Sequence, residues 1–275
     1  MKLKLILTLF VFTNITLLAQ EKKFFVGFNI GVKFSNKNYA LRYTGSYQNE
    51  LPNLLSNQQI HQQLYQSLGN QDFEFFEYNL NYKYTPAINY GALVGYTVAP
   101  NLQASIDANF SQPKVQTTYT VKLFDPGNQT SQDQYKVGNI LGKEARFNGK
   151  FNLDYIFDAE DVKFIIGVQG IFLSWRMEAL IYELADEEWL FNSYSVHNVT
   201  NNITKKTSGS GWGYGLNLGV EYRLNEKFIA QLMYQPYLSR LEYFYTKSEV
   251  EAIGSNYSGV FNRLEHDLTL RIQWR

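Results

Sequence analysis

Ser208–Leu224, SGSGWGYGLNLGVEYRL, decides the fold. From Trp212 onward its even positions are Trp212, Tyr214, Leu216, Leu218, Val220, Tyr222 and Leu224. Its odd positions are Gly209, Gly211, Gly213, Gly215, Asn217, Gly219, Glu221 and Arg223. A period of two means a β-strand with two different environments. A half-buried strand in a soluble sandwich alternates too, but usually for about 5–6 residues. Here the alternation fills the stretch, and the apolar face carries aromatics at both ends. That is the pattern of a transmembrane β-strand, with lipid on one side and a polar lumen on the other.

Composition agrees with that reading. The chain has 275 residues, no cysteine, a formal net charge of 0 and 16% aromatic residues. Its mean hydropathy of −0.30 is too low for a helical membrane protein. A barrel gives lipid only every second residue of a strand, so it stays hydrophilic on average. The absence of cysteine excludes disulfides, thiolate metal sites and a lipid-anchored N-terminal cysteine. Zero net charge argues against a nucleic-acid binder, which needs a basic patch.

The first residues read as an export leader. Lys2 and Lys4 precede the apolar run Leu5–Leu18, and Ala19-Gln20 is the expected cleavage junction. Residues 1–19 are then a cleaved signal peptide, and 20–275 form a single barrel domain. No later stretch is long and apolar enough for a transmembrane helix.

The opening pattern recurs along the mature chain. Strands are expected over Lys23–Ser35, Pro86–Val98, Leu102–Gln112, Leu141–Phe157, Val162–Arg176, Ser208–Leu224, Phe228–Glu242 and Val260–Arg275. The phase slips near Gln112-Pro113-Lys114, as at a bulge or a membrane exit. Short connections at Ala99–Asn101, Asp158–Asp161 and Asn225–Lys227 alternate strictly with long ones at Asn36–Thr85, Pro113–Ile140, Met177–Thr207 and Tyr243–Gly259. Short periplasmic turns, long extracellular loops and an even strand count define an eight-stranded antiparallel transmembrane up-and-down β-barrel with long extracellular hairpins. Ten steps from Trp212 to Tyr222, at about 3.3 Å each and tilted about 40°, give roughly the 25 Å of an outer-membrane apolar band. Phe24, Tyr96, Phe157, Tyr222, Phe228 and Trp274 are expected in the lower aromatic girdle. Phe34, Phe110, Phe147, Phe172 and Trp212 are expected in the upper one.

Asn36–Thr85 reads as two arms of one projecting hairpin. Tyr39, Tyr43, Phe73, Phe75, Phe76 and Tyr78 are its candidate partner surface, with packing of these rings within the hairpin an equal alternative. Between the arms, Leu51, Leu54, Leu55, Ile60, Leu64 and Leu68 suggest a short amphipathic helix as a lid. This segment is expected to be removable without unfolding the barrel. Asp125–Gln134, rich in Gly, Asn, Gln and Ser, reads as mobile.

The leader, the eight alternating strands, the long connections and the aromatic near the C-terminus resemble the small bacterial outer-membrane barrels of the OmpX/OmpA-transmembrane-domain type. The Ala19-Gln20 junction and the Trp274-Arg275 ending resemble barrels of Bacteroidota, including the PorT-like group. The resemblance implies outer-membrane lipid and lipopolysaccharide as surroundings. It also implies that the barrel-assembly machinery reads Val260–Arg275. A protein partner in an envelope complex would be consistent with it.

No catalytic, metal or cofactor motif stands out. Gly211, Gly213 and Gly215 lack the further glycine of a dinucleotide loop, where Leu216 stands, and read as space for a slim lumen. His61, His197 and His266 lie on different segments. His266 points outward by parity, as catalytic groups do on lipid-modifying barrels, but no Ser or acid can be placed beside it. The inward charges Asp107, Glu144, Arg146, Lys150, Glu221, Arg223, Arg263, Glu265 and Arg271 mix both signs. Eight strands leave room only for side chains, so these charges are expected to pair and plug the lumen. A narrow selective pore is the alternative. The functional expectation is a non-enzymatic surface protein that presents aromatic hairpins to a partner or surface. Open beside it are an accessory subunit of a secretion, motility or barrel-assembly machine, and a lipid-active enzyme around His266.

Overall fold

Wherever the chain alternates with period two, it forms strand. The structure is a computed structural model that describes residues 24–43, 50–79, 81–124, 133–159, 162–191, 208–242 and 263–274. The leader expected over residues 1–19 lies outside them, as do His197 and most of Asp125–Gln134. Among the described residues twelve strands form: β1 (Phe24–Phe34), β2 (Asp72–Tyr78), β3 (Lys83–Thr85), β4 (Ala87–Ala99), β5 (Leu102–Ser111), β6 (Lys114–Phe124), β7 (Gln134–Ala159), β8 (Val162–Leu184), β9 (Glu187–Phe191), β10 (Ser208–Arg223), β11 (Phe228–Glu242) and β12 (Arg263–Trp274). Eight of them, β1, β4, β5, β7, β8, β10, β11 and β12, pair antiparallel in that order. β12 then pairs back onto β1, in a register from Val26↔Trp274 to Phe34↔His266. The ring is an eight-stranded antiparallel up-and-down barrel, and closure removes its edges.

The two faces of each ring strand separate chemically. The outside carries an apolar belt that includes Phe28 (55% exposed), Leu216 (50%) and Trp212 (68%). Rings pair across strands at both margins of the belt. Phe24 lies 5.8 Å from Tyr96 at the short-turn end, and Phe172 lies 5.1 Å from Trp212 at the other. The inside is mostly small or polar. A Cβ at Gly95 would fall on the ring of Phe25, which turns into the lumen from the neighbouring strand. At the turn after β10, the Asn225 side chain accepts from the backbone N–H of Lys227 at 2.8 Å and of Phe228 at 2.9 Å.

The long connections depart from the expected loops. The described residues of Pro113–Ile140 and Met177–Thr207 are largely strand, because β7 and β8 continue past the ring to total lengths of 26 and 23 residues. β6 pairs with upper β7, β9 pairs with upper β8, and β2 and β3 both pair with β6. The physical reason lies in the surroundings and in one bulge. β7 keeps its even inward set through Arg146, Glu144, Gly142, Ile140 and Gly138, but above the belt its outward face no longer meets lipid and carries Lys143. On β8 a bulge at Glu178 moves the inward set from Trp175 and Met177 to Leu180 and Tyr182. The Glu144 N–H donates to the Pro113 carbonyl at 3.0 Å, and the phase slip expected at Gln112-Pro113-Lys114 is absent: the buried set runs on odd positions from Asn109 through Pro113 to Val121.

Nor is Asn36–Thr85 a hairpin of two mutually paired arms. Residues Lys37–Tyr43 form a 3-10 helix, followed by α1 (Glu50–Leu55) and α2 (Gln58–Ser67). Asn57 caps α2 by accepting from the N–H groups of Gln59 (3.1 Å) and Ile60 (3.4 Å). Gly69 (φ 75°) and Asn70 (φ 61°) turn the chain from α2 toward β2. Leu51, Leu54, Leu55, Ile60, Leu64 and Leu68 are all buried. They pack into one core with Val115, Tyr119, Val121, Ile140, Trp175, Met177, Leu180, Tyr182 and Leu184 from the extended sheet. The helices therefore form a cap seated on the inner face of that sheet. That core reaches the barrel interior through Ile171, Leu173 and Tyr237.

Candidate functional site: the charged lumen and its cap

Period two aims alternate side chains of all ring strands at one narrow space, so charge from distant parts of the sequence converges there. Nearer the cap, Arg146 on β7 bonds Glu144 through Nε at 2.7 Å and Glu265 on β12 through Nη1 at 2.8 Å. Lys150 reaches Asp267 at 2.7 Å and the Gln235 amide oxygen at 3.0 Å. Lys33 lies 3.7 Å from Glu265 and 3.9 Å from Asp267, and also donates to the Tyr237 hydroxyl. Nearer the short turns, Arg271 bonds Asp107 at 2.7 Å and lies 3.6 Å from Asp154.

The described lumen buries the cations Lys33, Arg146, Lys150 and Arg271 among the carboxylates Asp107, Glu144, Asp154, Glu221, Glu265 and Asp267. Carboxylates exceed cations, and neutral amides serve the surplus. The Asn217 amide donates to Asp154 at 2.6 Å, and the Gln231 amide donates to Glu221 at 2.8 Å. Hydrogen bonds of this kind offset part of the cost of burying charge. Below them Ile156, Ile165 and Met233 make a small apolar cluster inside the barrel.

The cap closes the other end. The Tyr39 hydroxyl donates to the Ser239 carbonyl at 2.7 Å, and the Tyr84 hydroxyl donates to Glu144 at 2.8 Å. Arg146 lies 4.8 Å from the Tyr84 ring centroid and 5.7 Å from that of Tyr39. Burial, with the Glu144 carboxylate beside it, pushes the Tyr84 phenol well above its ordinary value. The phenol therefore stays protonated and keeps donating.

Several sequence expectations land elsewhere. Arg223 is exposed, and its Nε donates to the Asn225 carbonyl at 3.3 Å at the short-turn end. Arg263 is half-buried at the opposite rim. Both sit at strand ends, beyond the height at which parity points into the lumen. Lys33, Asp154, Asp267 and Tyr237 were missed from the charge set, although the same parity places them inward. Of the candidate partner surface, Tyr39, Tyr43 and Phe73 are buried in the cap core and cannot form an exposed face. Their rings are the inward side of elements that pack on the sheet. Phe75 and Tyr78 are half-buried, with ring centroids 4.4 Å apart. Phe76 is 49% exposed, and its ring centroid is 4.8 Å from that of Tyr135.

The two described histidines do not converge. His61 stacks on Phe73 at 4.4 Å and lies 3.3 Å from Asp72. The His266 ring stacks on Phe34 at 4.8 Å and lies 5.9 Å from that of Tyr234.

These features define a closed eight-stranded barrel with a charged interior, an apolar outer belt and a folded cap at one end. No family model matches the chain. No curated protein matches it. Among solved structures it is similar to Neisserial surface protein A, with 10% identical residues and a TM-score of 0.41, over 91% of this chain and 96% of that one.

Proposed function

We propose that the chain is a non-enzymatic protein of a bacterial outer membrane, with a plugged lumen and a cap that meets a protein partner outside the cell. The observation that carries this reading is the inverted distribution of polarity. Ionisable side chains such as Lys33, Arg146, Lys150 and Asp267 are buried, while Phe28, Ile30, Val168, Leu216 and Leu270 are exposed around the ring. Water favours the opposite arrangement, and a hydrocarbon layer favours this one. Closure lets every backbone group in the ring find a partner without water.

The partner-facing surface is the outer side of the cap sheet, where Phe76, Tyr135 and Val137 are exposed. Aromatic and aliphatic groups on a rigid sheet suit a binding hot spot. Affinity capture from native membranes, followed by mass spectrometry, tests this. The wild type should retain a partner that F76S/Y135S/V137S loses, with both proteins assembling equally. Equal capture by both proteins would move the interface elsewhere. Capture of nothing by the wild type would remove the partner role.

A further inference from the structure

Four residues beyond the upper margin of the apolar belt, the outward face becomes basic on three adjacent strands. Phe110 is followed by Lys114, Phe147 is preceded by Lys143, and Phe172 is followed by Arg176. Lys114 and Lys143 stand directly opposite each other across the β6–β7 pairing. Arg176 pairs with Ala145, diagonal to Lys143. Lys83, two residues before the Thr85 that faces Lys114, extends the row onto β3. Like charges directly opposite on a sheet repel and destabilise it. Glu178 relieves only part of this. It bonds Lys143 at 3.0 Å and accepts from the Gln112 amide at 3.2 Å. Among the described residues, no carboxylate lies within ion-pair distance of Lys83, Lys114 or Arg176.

We infer that this row binds the phosphate of a lipid headgroup in the leaflet surrounding the cap end of the barrel. The inference rests on the membrane reading above. Two features select a lipid over a soluble anion. The cations are outside the barrel, open to the surroundings. They also continue the same outward faces as Phe110, Phe147 and Phe172, so a headgroup at that height has its acyl chains against the belt. A single lipid satisfies both surfaces at once. Juxtaposed cations near an anionic leaflet each contribute to such binding.

The test uses the full mature chain, refolded into phosphatidylcholine vesicles that contain spin-labelled phosphatidylglycerol or spin-labelled phosphatidylcholine. The motionally restricted fraction of each label reports lipid at the barrel wall. The wild type should prefer phosphatidylglycerol by about fivefold, the equivalent of one cation near the surface. K83Q/K114Q/R176Q, which spares the Lys143–Glu178 pair, should show no preference while restricting phosphatidylcholine normally. R223Q/K227Q, at the other end, should behave as wild type. Equal preference in the triple variant, or none in the wild type, overturns the site. Loss of the preference on adding inorganic phosphate would show that the ligand is a free anion, and overturns it too. A protein that restricts no lipid of either kind fails the membrane reading itself, which separates the two failures.

Discussion

Arg146 on β7 and Glu265 on β12 meet at 2.8 Å across the lumen, from strands that stand opposite each other in the ring. Lys150 and Asp267 repeat the crossing on the same two strands at 2.7 Å. Two opposite walls are thus tied through the middle of the lumen.

Breaking one tie should therefore be costly. Glu265→Ala leaves Arg146 and Lys33 buried without their shared carboxylate. Removing one partner of a buried pair costs about 3–5 kcal/mol. Urea unfolding of the refolded barrel, followed by the mobility difference between boiled and unboiled samples, should show a loss of that size. R146M/E265L should recover most of it, because well-packed apolar side chains often replace a buried pair without loss. A double variant as weak as the single one would mean the charges are needed individually.

Conductance follows from the same geometry. The wild-type barrel should pass little or no steady current in planar bilayers, since the cap and the ion pairs both block the axis. R146A/K150A should not open it fully, because Tyr39 and Tyr84 still cover the mouth. Large steady currents from monodisperse wild-type protein would contradict the plug.

Replacing Asn38–Tyr82 with a short turn removes α1, α2 and β2 but none of the eight ring strands. The ring should still close, and the boiled and unboiled forms should still migrate differently. The truncated protein should nonetheless expose Val115, Tyr119, Met177 and Tyr182, which the cap covers in the intact chain. It should bind an apolar dye, and proteases should cut within β6 and upper β8 where the intact protein resists. A truncated barrel with no new dye binding would mean that the sheet extension does not need its cap.

Gly142 tests the seat of the cap more finely. A Cβ there would meet the Tyr43 ring. Gly142→Val should weaken the cap by about 1–3 kcal/mol, the usual cost of overpacking, and leave ring assembly intact. Limited proteolysis of the cap, set beside the gel shift of the barrel, separates the two effects.

How much of this was legible in the sequence depends on which rule each segment obeys. Trp212–Leu224 and the other ring strands were readable because lipid and lumen impose period two over their whole length. The buried face of Leu51–Leu68 was readable residue by residue, since helix packing needs the same apolar spacing whatever lies beneath. The extension of β8 is hidden by the bulge at Glu178, which moves the inward set from Met177 to Leu180, and that of β7 by the polar residue Lys143 on an outward face whose parity nonetheless holds. For Tyr39, Tyr43 and Phe73 the sequence leaves exposure and packing equally open, because an aromatic in a long connection carries no mark of what it packs on. That information lies in Val115, Tyr119 and Ile140, far along the chain. Within the lumen, parity assigns every inward residue but not its height, so Arg223 and Arg263 were grouped with a network that ends before reaching them.

The central claim is that the exposed belt faces lipid while the cap faces outward. The chain has no cysteine, so single cysteines report cleanly. Leu218→Cys lies on the belt, Gln66→Cys on the exposed side of α2, and Glu226→Cys in the turn after β10. In intact cells, a membrane-impermeant maleimide should label Gln66→Cys only. Glu226→Cys should react once the outer membrane is permeabilised, and Leu218→Cys only after the bilayer is dissolved and the protein unfolded. Rapid labelling of Leu218→Cys in intact cells would place the belt in water and contradict the account.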